Sequence, residues 1–235
     1  MKAECLIALS LLLLLSVPTA AAAETTPLWT HTIGGTGVGA VAISGDGGTV
    51  CAAGEDGLVC LSPEGTVQWS TPLRMYDVAL SDDGSIVIAG GFDIHVFDAG
   101  GTQVGGRKVF NVIRSIAVDP EGTSYLASTD GSTIVEGSPL QDTATETETG
   151  EDYFAVSLVP GTDYLAAGTE TGSVLLTSPG VDTIFWEYRA SPKGVKDIAA
   201  ADGARTIVAL HVTGHQHGVV VGVHALQLSI HKHMG

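Results

Sequence analysis

The residue type best suited to binding a transition metal is concentrated near the end of this chain. Six of the eight histidines lie in the last 25 residues, and two pairs have i, i+2 spacing: His215 with His217, and His231 with His233. In an extended backbone such a pair places both imidazoles on one face, where they can chelate Zn²⁺, Ni²⁺ or Cu²⁺. No acidic residue that could orient the imidazoles stands near either pair. These four histidines are weak metal-site candidates, and we predict no metal or cofactor.

A second cluster of potential ligands is the acidic run at residues 141–152. It holds five carboxylates in twelve residues: Asp142, Glu146, Glu148, Glu151 and Asp152. The run lacks the Asp-x-Asp-x-Asp-Gly spacing of a calcium loop. We therefore interpret it as a flexible, solvated connecting loop, with weak cation binding as the alternative.

No motif for catalysis occurs in the chain. The sequence has no Gly-x-Ser-x-Gly, His-Glu-x-x-His or Walker loop. Acidic residues do recur in turn-like contexts, where a short acidic side chain caps its own backbone: Asp46, Asp82, Asp83, Asp119 and Glu121. This recurrence indicates structure, and we predict no catalytic residues and no enzymatic activity.

The charge balance excludes some partners. Twenty-six acidic against 10 basic residues give a formal charge of −16. Nucleic-acid binding requires clustered Lys and Arg, and so does docking on an anionic membrane. We therefore expect a protein or glycan partner at the cell envelope and no nucleic acid.

Residues 1–23 have the organisation of a secretory signal peptide. Lys2 provides the positive n-region, an apolar stretch of about a dozen residues follows, and small residues end at Ala23. The apolar stretch is short for a span of ~30 Å of hydrocarbon. We predict cleavage after Ala23, no membrane span thereafter, and a secreted or cell-surface protein; an uncleaved anchor is the alternative.

Cys51 and Cys60 flank the dipeptide Glu55-Asp56 symmetrically. If that dipeptide is the centre of a tight hairpin, the two cysteines face each other at a separation close to what a disulfide requires. Export permits an oxidised pair. The alternative is two small buried hydrophobic residues, because the next repeat has Val87 and Val96 at the equivalent positions. Both interpretations remain open at this stage.

The elements that must position these residues come from an internal repeat. An apolar triplet followed by an acidic or Pro/Gly turn and a second apolar run occurs five times, and its first residues are 37, 38, 40 and 42 apart. The triplets are residues 41–43, 78–80, 116–118, 156–158 and 198–200. The 31 glycines, about 13% against a usual ~7%, fit the hairpin turns of such a repeat. No helical periodicity follows residue 23.

A four-stranded unit of ~40 residues is the size of a β-propeller blade. The sequence thus predicts an all-β propeller of four-stranded blades, with about five repeats in residues 24–210 and an irregular last one. A solenoid or sandwich is the competing fold. Trp69 and Trp186 mark outer strands, and residues 28–32 around Trp29 have the same character. Residues 211–235 form a His-rich segment that completes or follows the last blade.

The stretch at 164–174, YLAAGTETGSV, followed by Trp186, resembles PQQ-like and WD-like propeller repeats of exported archaeal and bacterial surface proteins. The resemblance covers residues 28–210. The WD signature is missing, because no repeat begins with Gly-His and no strand ends with Trp-Asp. The Ca²⁺ site, catalytic Asp and disulfide ring of PQQ-dependent alcohol dehydrogenases also cannot be placed on this chain. The resemblance implies the architecture and carries over no cofactor.

We therefore expect a non-catalytic binding or scaffolding module, because the face of a propeller presents loops from every blade. One alternative is a quinoprotein oxidoreductase of the PQQ type. Another is an incomplete part of a longer propeller, since five repeats with an irregular last one are few.

Overall fold

The computed structural model describes residues 26–35, 37–141, 143–190, 192–201, 206–213 and 220–227. The chain divides into two units, residues 1–30 and residues 31–235. Residues 26–30 of the first unit form no strand, and the second unit has none before Val38. The prediction of an outer strand around Trp29 is therefore wrong. The signal-peptide segment, residues 1–23, lies outside the described residues.

In the described part of the chain, nineteen strands form five antiparallel sheets, which we call blades 1 to 5. Blade 1 contains β1 (Val38–Ile43), β2 (Val50–Gly54), β3 (Gly57–Leu61) and β4 (Val67–Thr71). Blade 2 contains β5 (Asp77–Leu80), β6 (Ile86–Gly90), β7 (Asp93–Asp98) and β8 (Gln103–Lys108). Blade 3 contains β9 (Ile113–Val118), β10 (Tyr125–Thr129), β11 (Thr133–Gly137) and β12 (Ala144–Glu148). Blade 4 contains β13 (Tyr153–Leu158), β14 (Leu165–Thr169), β15 (Ser173–Thr177) and β16 (Ile184–Arg189). Blade 5 contains β17 (Val195–Ala201), β18 (Thr206–Thr213) and β19 (Val220–Gln227).

Each blade is a meander in which sequential strands pair side by side. The five apolar triplets of the sequence lie in the first strands, so the predicted repeat of antiparallel strands is confirmed. The one helical element of the described residues is a 3₁₀ turn at Pro179–Val181. No helix in that part of the chain has the length and apolar character needed to cross a membrane.

Blade 5 is shorter than the others, with three strands among the described residues. Its second strand runs from Thr206 to Thr213, so the predicted boundary at residue 210 falls inside β18. The third strand, β19, lies within the His-rich segment. The candidates His215, His217, His231 and His233 lie outside the described residues.

The hydrophobic core consists of four layers, one between each pair of consecutive blades. The layer between blades 1 and 2 contains Leu58 and Val78, and the layer between blades 2 and 3 contains Ile88 and Ile116. The layer between blades 3 and 4 contains Val156, and the layer between blades 4 and 5 contains Ile198. Since these residues pack across sheets rather than along them, each blade is stabilised by its neighbours.

The first strands of consecutive blades pack beside one another, from β1 next to β5 through to β13 next to β17. The first residue of each triplet is the one that faces the preceding blade. In blades 2 to 5 this residue is 4–7% exposed: Val78, Ile116, Val156 and Ile198. In blade 1 the equivalent residue, Val41, is 64% exposed. The first strand of blade 1 is therefore not covered by a preceding blade in the described part of the chain.

Three of the five acidic residues predicted to cap turns do so between the first and second strands: Asp46, Asp83 and Asp119. Asp46 accepts a hydrogen bond from the backbone N–H of Gly48 at 2.7 Å, and Asp83 accepts one from Ser85 at 2.9 Å. A hydrogen bond from the Ser44 hydroxyl is the main cause of a lowered Asp46 pKa, and the Ser85 N–H is the main cause of a lowered Asp83 pKa. These carboxylates serve the backbone of their own turns.

The acidic run at 141–152 is not a loop throughout, so that prediction is wrong. Residues Ala144–Glu148 form β12, the fourth strand of blade 3, and pair with β11. Glu146 of this strand forms a salt bridge with Arg107 on β8, at 2.9 Å. Alternating Thr and Glu suit a solvent-facing edge strand, because β-branched Thr favours extended backbone and Glu discourages further pairing. Asp142 lies outside the described residues.

Cys51 on β2 pairs directly with Cys60 on β3, which is the register that the symmetric hairpin predicts. The Cα atoms are 4.1 Å apart, and a disulfide joins the two sulfurs. Both residues are fully buried in the layer between blades 1 and 2. The bond therefore links two strands that already pair, next to the core.

Candidate functional site

The first strands of four blades share an irregularity at the same position. The register of pairing shifts near the start of β1, β9, β13 and β17, and each time one residue of the first strand is left out of the pairing. Such a β-bulge redirects a side chain away from the regular alternation. The residues left out are Gly39, Arg114, Phe154 and Lys196.

All four residues occupy the same place in the repeat, two positions before the first residue of the apolar triplet. The equivalent residue of blade 2 is Tyr76, which directly precedes β5 and donates its backbone N–H to Gly90 O at 2.6 Å. One residue from each blade therefore occupies this position. The five share no chemical type, in contrast to the apolar triplets that follow them.

These five positions line one open cavity of about 500 Å³, to which the first strands of all five blades contribute. Asp77, Ser115 and Asp197, each next to one of the five, also line it. The cavity combines cations, carboxylates and aromatic rings. That mixture is typical of ligand sites that a rigid scaffold positions.

Phe154 is the centre of the cationic side of the cavity. The Nζ of Lys196 lies 4.5 Å from the centre of its ring, and the guanidinium carbon of Arg114 lies 5.5 Å from it. Both distances are within the range of a cation–π interaction. Gly194 leaves room for the ring, because a Cβ at this residue would come within 3.1 Å of two ring carbons.

Asp77 connects two blades at the wall of the cavity. Its Oδ2 accepts the backbone N–H of Ile116 on β9 at 2.6 Å. Burial raises the pKa of this carboxyl to about 6 and the charge of Asp197 adds to the rise, while hydrogen bonds from the backbone of Ile116 and Val78 oppose it. Asp77 thus contributes both a structural link and a charge that depends on pH near neutrality.

The cavity residues lie at the ends of the first strands that adjoin the crossovers between blades. In a four-stranded meander these crossovers share one face with the turns between second and third strands. Hydrogen bonds join the two sets: Ile113 N donates to Gly91 O at 2.9 Å, and Asp130 N donates to Val112 O at 3.0 Å. The cavity is therefore next to a face that consists of linked loops, which we call the crossover face.

Aromatic side chains of the crossover face lie beside the cavity. The ring of Phe92 contacts that of Tyr76 edge to face, with centroids 6.0 Å apart, and Phe92 is 57% exposed. The guanidinium of Arg74 lies 6.0 Å from the centre of the Tyr76 ring and forms a salt bridge with Glu55 at 3.1 Å. An exposed phenylalanine supported by an ordered neighbour is available for contact with a partner.

Phe110, in the crossover between blades 2 and 3, is 86% exposed and has a φ of 63°. A bulky residue in the left-handed region is strained, and exposing its ring to water stabilises nothing within the chain. Such residues cluster at ligand sites. Phe110 therefore adds a second exposed aromatic to the crossover face.

None of these cavity residues was predicted from the sequence. The described part of the chain contains no group of three His, Cys, Asp or Glu side chains placed to hold a metal ion. A signal was nevertheless present, since aligning the five triplets places Arg114, Phe154 and Lys196 in one column. That column changes chemical type from repeat to repeat, while the residue before it is large and apolar or aromatic in every repeat.

Repeated four-stranded antiparallel blades around a common cavity define a β-propeller. No protein-family model matches the chain, and no curated protein matches its sequence. Among solved structures, the chain is similar to the β-propeller domain of Cps50 (Swd1) from Myceliophteria thermophila, with a TM-score of 0.67 and 11% sequence identity. The match covers 84% of this chain and 75% of that one. The likeness shows the fold, and the predicted all-β propeller is confirmed.

Proposed function

We propose that this chain is an exported, non-catalytic β-propeller that binds a partner at the cell envelope through its cavity and crossover face. The observation that carries the proposal is the column of residues at the start of the first strands. Four bulges and Tyr76 bring one residue from each blade to a single cavity, and in blades 2 to 5 this residue has a large side chain.

The chemistry of the column supports binding. Phe154, Arg114 and Lys196 form one contiguous group, and Tyr76 with Phe92 forms another. Aromatic rings and Arg are enriched where protein interfaces have their largest binding energies. The rigid sheets behind these residues fix their positions before a partner arrives, which lowers the entropic cost of association.

Export is supported by the N-terminal sequence and by the cysteines. Residues 1–23 have the order of a signal peptide, and a Cys51–Cys60 disulfide is stable in an oxidising compartment. The sequence at 164–174 resembles PQQ-like and WD-like repeats of exported surface proteins, which is consistent with the same location.

Site-specific photo-cross-linking tests the binding surface. A benzophenone amino acid replaces Phe92, beside the cavity, in one sample and Val104 on β8 in a control sample; the two side chains are 57% and 44% exposed. Irradiation of cells of the source organism should yield a discrete cross-linked partner from position 92 and none from position 104. The same products from both positions, or none from position 92, would contradict the proposed surface.

The quinoprotein alternative makes a different prediction. If the chain were an oxidoreductase of the PQQ type, reconstitution with PQQ and Ca²⁺ would give dye-linked alcohol oxidation. Our proposal predicts no turnover above the rate of PQQ alone in this assay.

A further inference from the structure

Two basic residues of the cavity lie against the same aromatic ring. Among the described residues this distinguishes them from Lys108 and Arg189, which also have no salt bridge. The whole sequence has 10 Lys and Arg against 26 Asp and Glu. Arg74 and Arg107 each form a salt bridge, with Glu55 and Glu146. Within the described residues, Arg114 and Lys196 have neither a salt bridge nor a hydrogen bond to a side chain or the backbone. Where carboxylates outnumber cations so strongly, two unpaired cations on one ring are unexpected.

Phe154 brings these two cations together without neutralising them. Arg114 belongs to β9 and Lys196 to β17, and each approaches the ring from its own blade. The electron-rich face of an aromatic ring attracts a cation but provides no counter-charge and no hydrogen-bond acceptor for its N–H groups. The N–H donors of both side chains therefore remain available at the cavity.

The two carboxylates of the cavity are, by contrast, already used by the backbone. Asp77 accepts the N–H of Ile116 at 2.6 Å, and Asp197 accepts the N–H of Ile198 at 2.8 Å. Among the described residues, neither carboxylate forms a salt bridge with Arg114 or Lys196. An anionic group of a partner would therefore not have to displace an existing ion pair from these two cations.

We infer that the cavity binds a carboxylate group of an acidic polypeptide segment, with Arg114 and Lys196 as its ligands and Phe154 as their support. This inference rests on the proposed function, since it names the chemistry of the partner that the same cavity takes. The planar fork of Arg114 can donate two parallel N–H bonds to a carboxylate, and Lys196 adds a compact positive charge. The exposed rings of Phe92 and Phe110 offer contacts for apolar side chains that flank the acidic residue, which favours a polypeptide.

Fluorescence anisotropy with a labelled hexaglutamate peptide and a matched hexaglutamine peptide tests the inference. The variant with Arg114→Gln and Lys196→Gln removes both cations of the cavity. The variant with Lys108→Gln and Arg189→Gln removes the same charge from outer strands β8 and β16. We expect hexaglutamate to bind the wild type at least 10-fold more tightly than hexaglutamine, and the cavity variant to lose at least 10-fold. The outer-strand variant should lose less than 2-fold. Thermal melts establish that both variants fold.

Three results would overturn the inference. Equal losses in the two double variants would show that only net charge matters. If the two peptides bound equally and Phe154→Ala abolished their binding, the cavity would bind polypeptide segments regardless of charge. That result would contradict the inference and leave the proposed function in place. An oligogalacturonate that binds through Arg114 and Lys196 while hexaglutamate does not would reassign the carboxylate to a polysaccharide. Failure of the cross-linking experiment from position 92, in contrast, would remove the proposed function itself.

Discussion

Asp77 on β5 accepts the backbone N–H of Ile116 on β9, with 2.6 Å between Oδ2 and N. Ser115 on β9 has the same place in its repeat and accepts the N–H of Val156 on β13 at 3.1 Å. A polar side chain directly before the apolar triplet thus connects one blade to the next. In blade 2 this side chain is a carboxyl, which makes the link between blades 2 and 3 sensitive to pH.

The first prediction concerns the stability of an Asp77→Asn variant. The pKa of Asp77 is raised from 3.8 to about 6 on folding, so the folded chain binds more protons than the unfolded chain between these values. The contribution of Asp77 to the free energy of unfolding is therefore most favourable below about pH 4 and falls as pH rises through 6, by up to about 3 kcal/mol. Asparagine cannot ionise but can still accept the Ile116 N–H. We expect Asp77→Asn to be more stable than the wild type at pH 8, by about 1–3 kcal/mol, and nearly equal at pH 4.

Asp119→Asn is the control, and its effect should have the opposite sign. Burial opposes ionisation of Asp119, but hydrogen bonds from Ser124 and Thr123 outweigh burial and lower its pKa. Its carboxylate therefore stabilises the fold at neutral pH and loses this effect as pH falls through the lowered pKa. Urea unfolding at pH 8 and pH 4 should show Asp119→Asn losing about 1 kcal/mol at pH 8 and less at pH 4. If Asp77→Asn changed the free energy of unfolding equally at pH 8 and pH 4, the pKa of the Asp77 carboxyl would not be raised on folding.

The Cys51–Cys60 bond leads to a second prediction. The closed loop is short, so the disulfide should contribute at most about 2–3 kcal/mol. In blade 2, Val87 pairs with Phe97, and Val96 pairs with Ile88, so the expected equivalence of the two valines with the paired cysteines is wrong. An apolar pair is nevertheless sufficient at this place in blade 2, so a Cys51→Val, Cys60→Val variant should fold and lose less than that amount. Alkylation of the unfolded wild type without reductant should add no mass at either cysteine. Full alkylation under these conditions would show free thiols.

A third prediction concerns the processed N-terminus. Cleavage of a signal peptide after Ala23 predicts that the exported protein begins with Glu24. N-terminal sequencing or intact mass of protein from the envelope or medium measures this directly. A chain that retains residues 1–23 and sediments with membranes would show that the segment is an anchor.

The repeat could be predicted because apolar triplets and glycine turns recur at nearly constant spacing, and such patterns report burial and chain reversal directly. The triplet at 116–118 has the same role as that at 156–158, and both lie in first strands. Strand β12 was missed because it has no large apolar residue; an edge strand with two solvated sides needs only extended backbone and one neighbour. Its alternation of Thr and Glu was the signal available.

The cavity could not be predicted in the same way. Arg114, Phe154 and Lys196 are far apart in sequence and differ in type, and no one repeat contains a recognisable motif. A bulge depends on how two strands pair, so it leaves little trace in the composition of either strand. Aligning the triplets in sequence places these residues in one column, but only the arrangement of the blades in space shows that the column faces a single cavity.

The cross-linking yield from position 92 in a Phe154→Ala background tests the central claim most directly, because Phe154 supports both cations of the cavity. Phe185→Ala on β16 is the matched control, since this ring is 48% exposed and lies on the outer strand of the same blade. If the cavity residues bind the partner, the cross-link disappears with Phe154→Ala and persists with Phe185→Ala. An undiminished cross-link in the folded Phe154→Ala protein would contradict the claim.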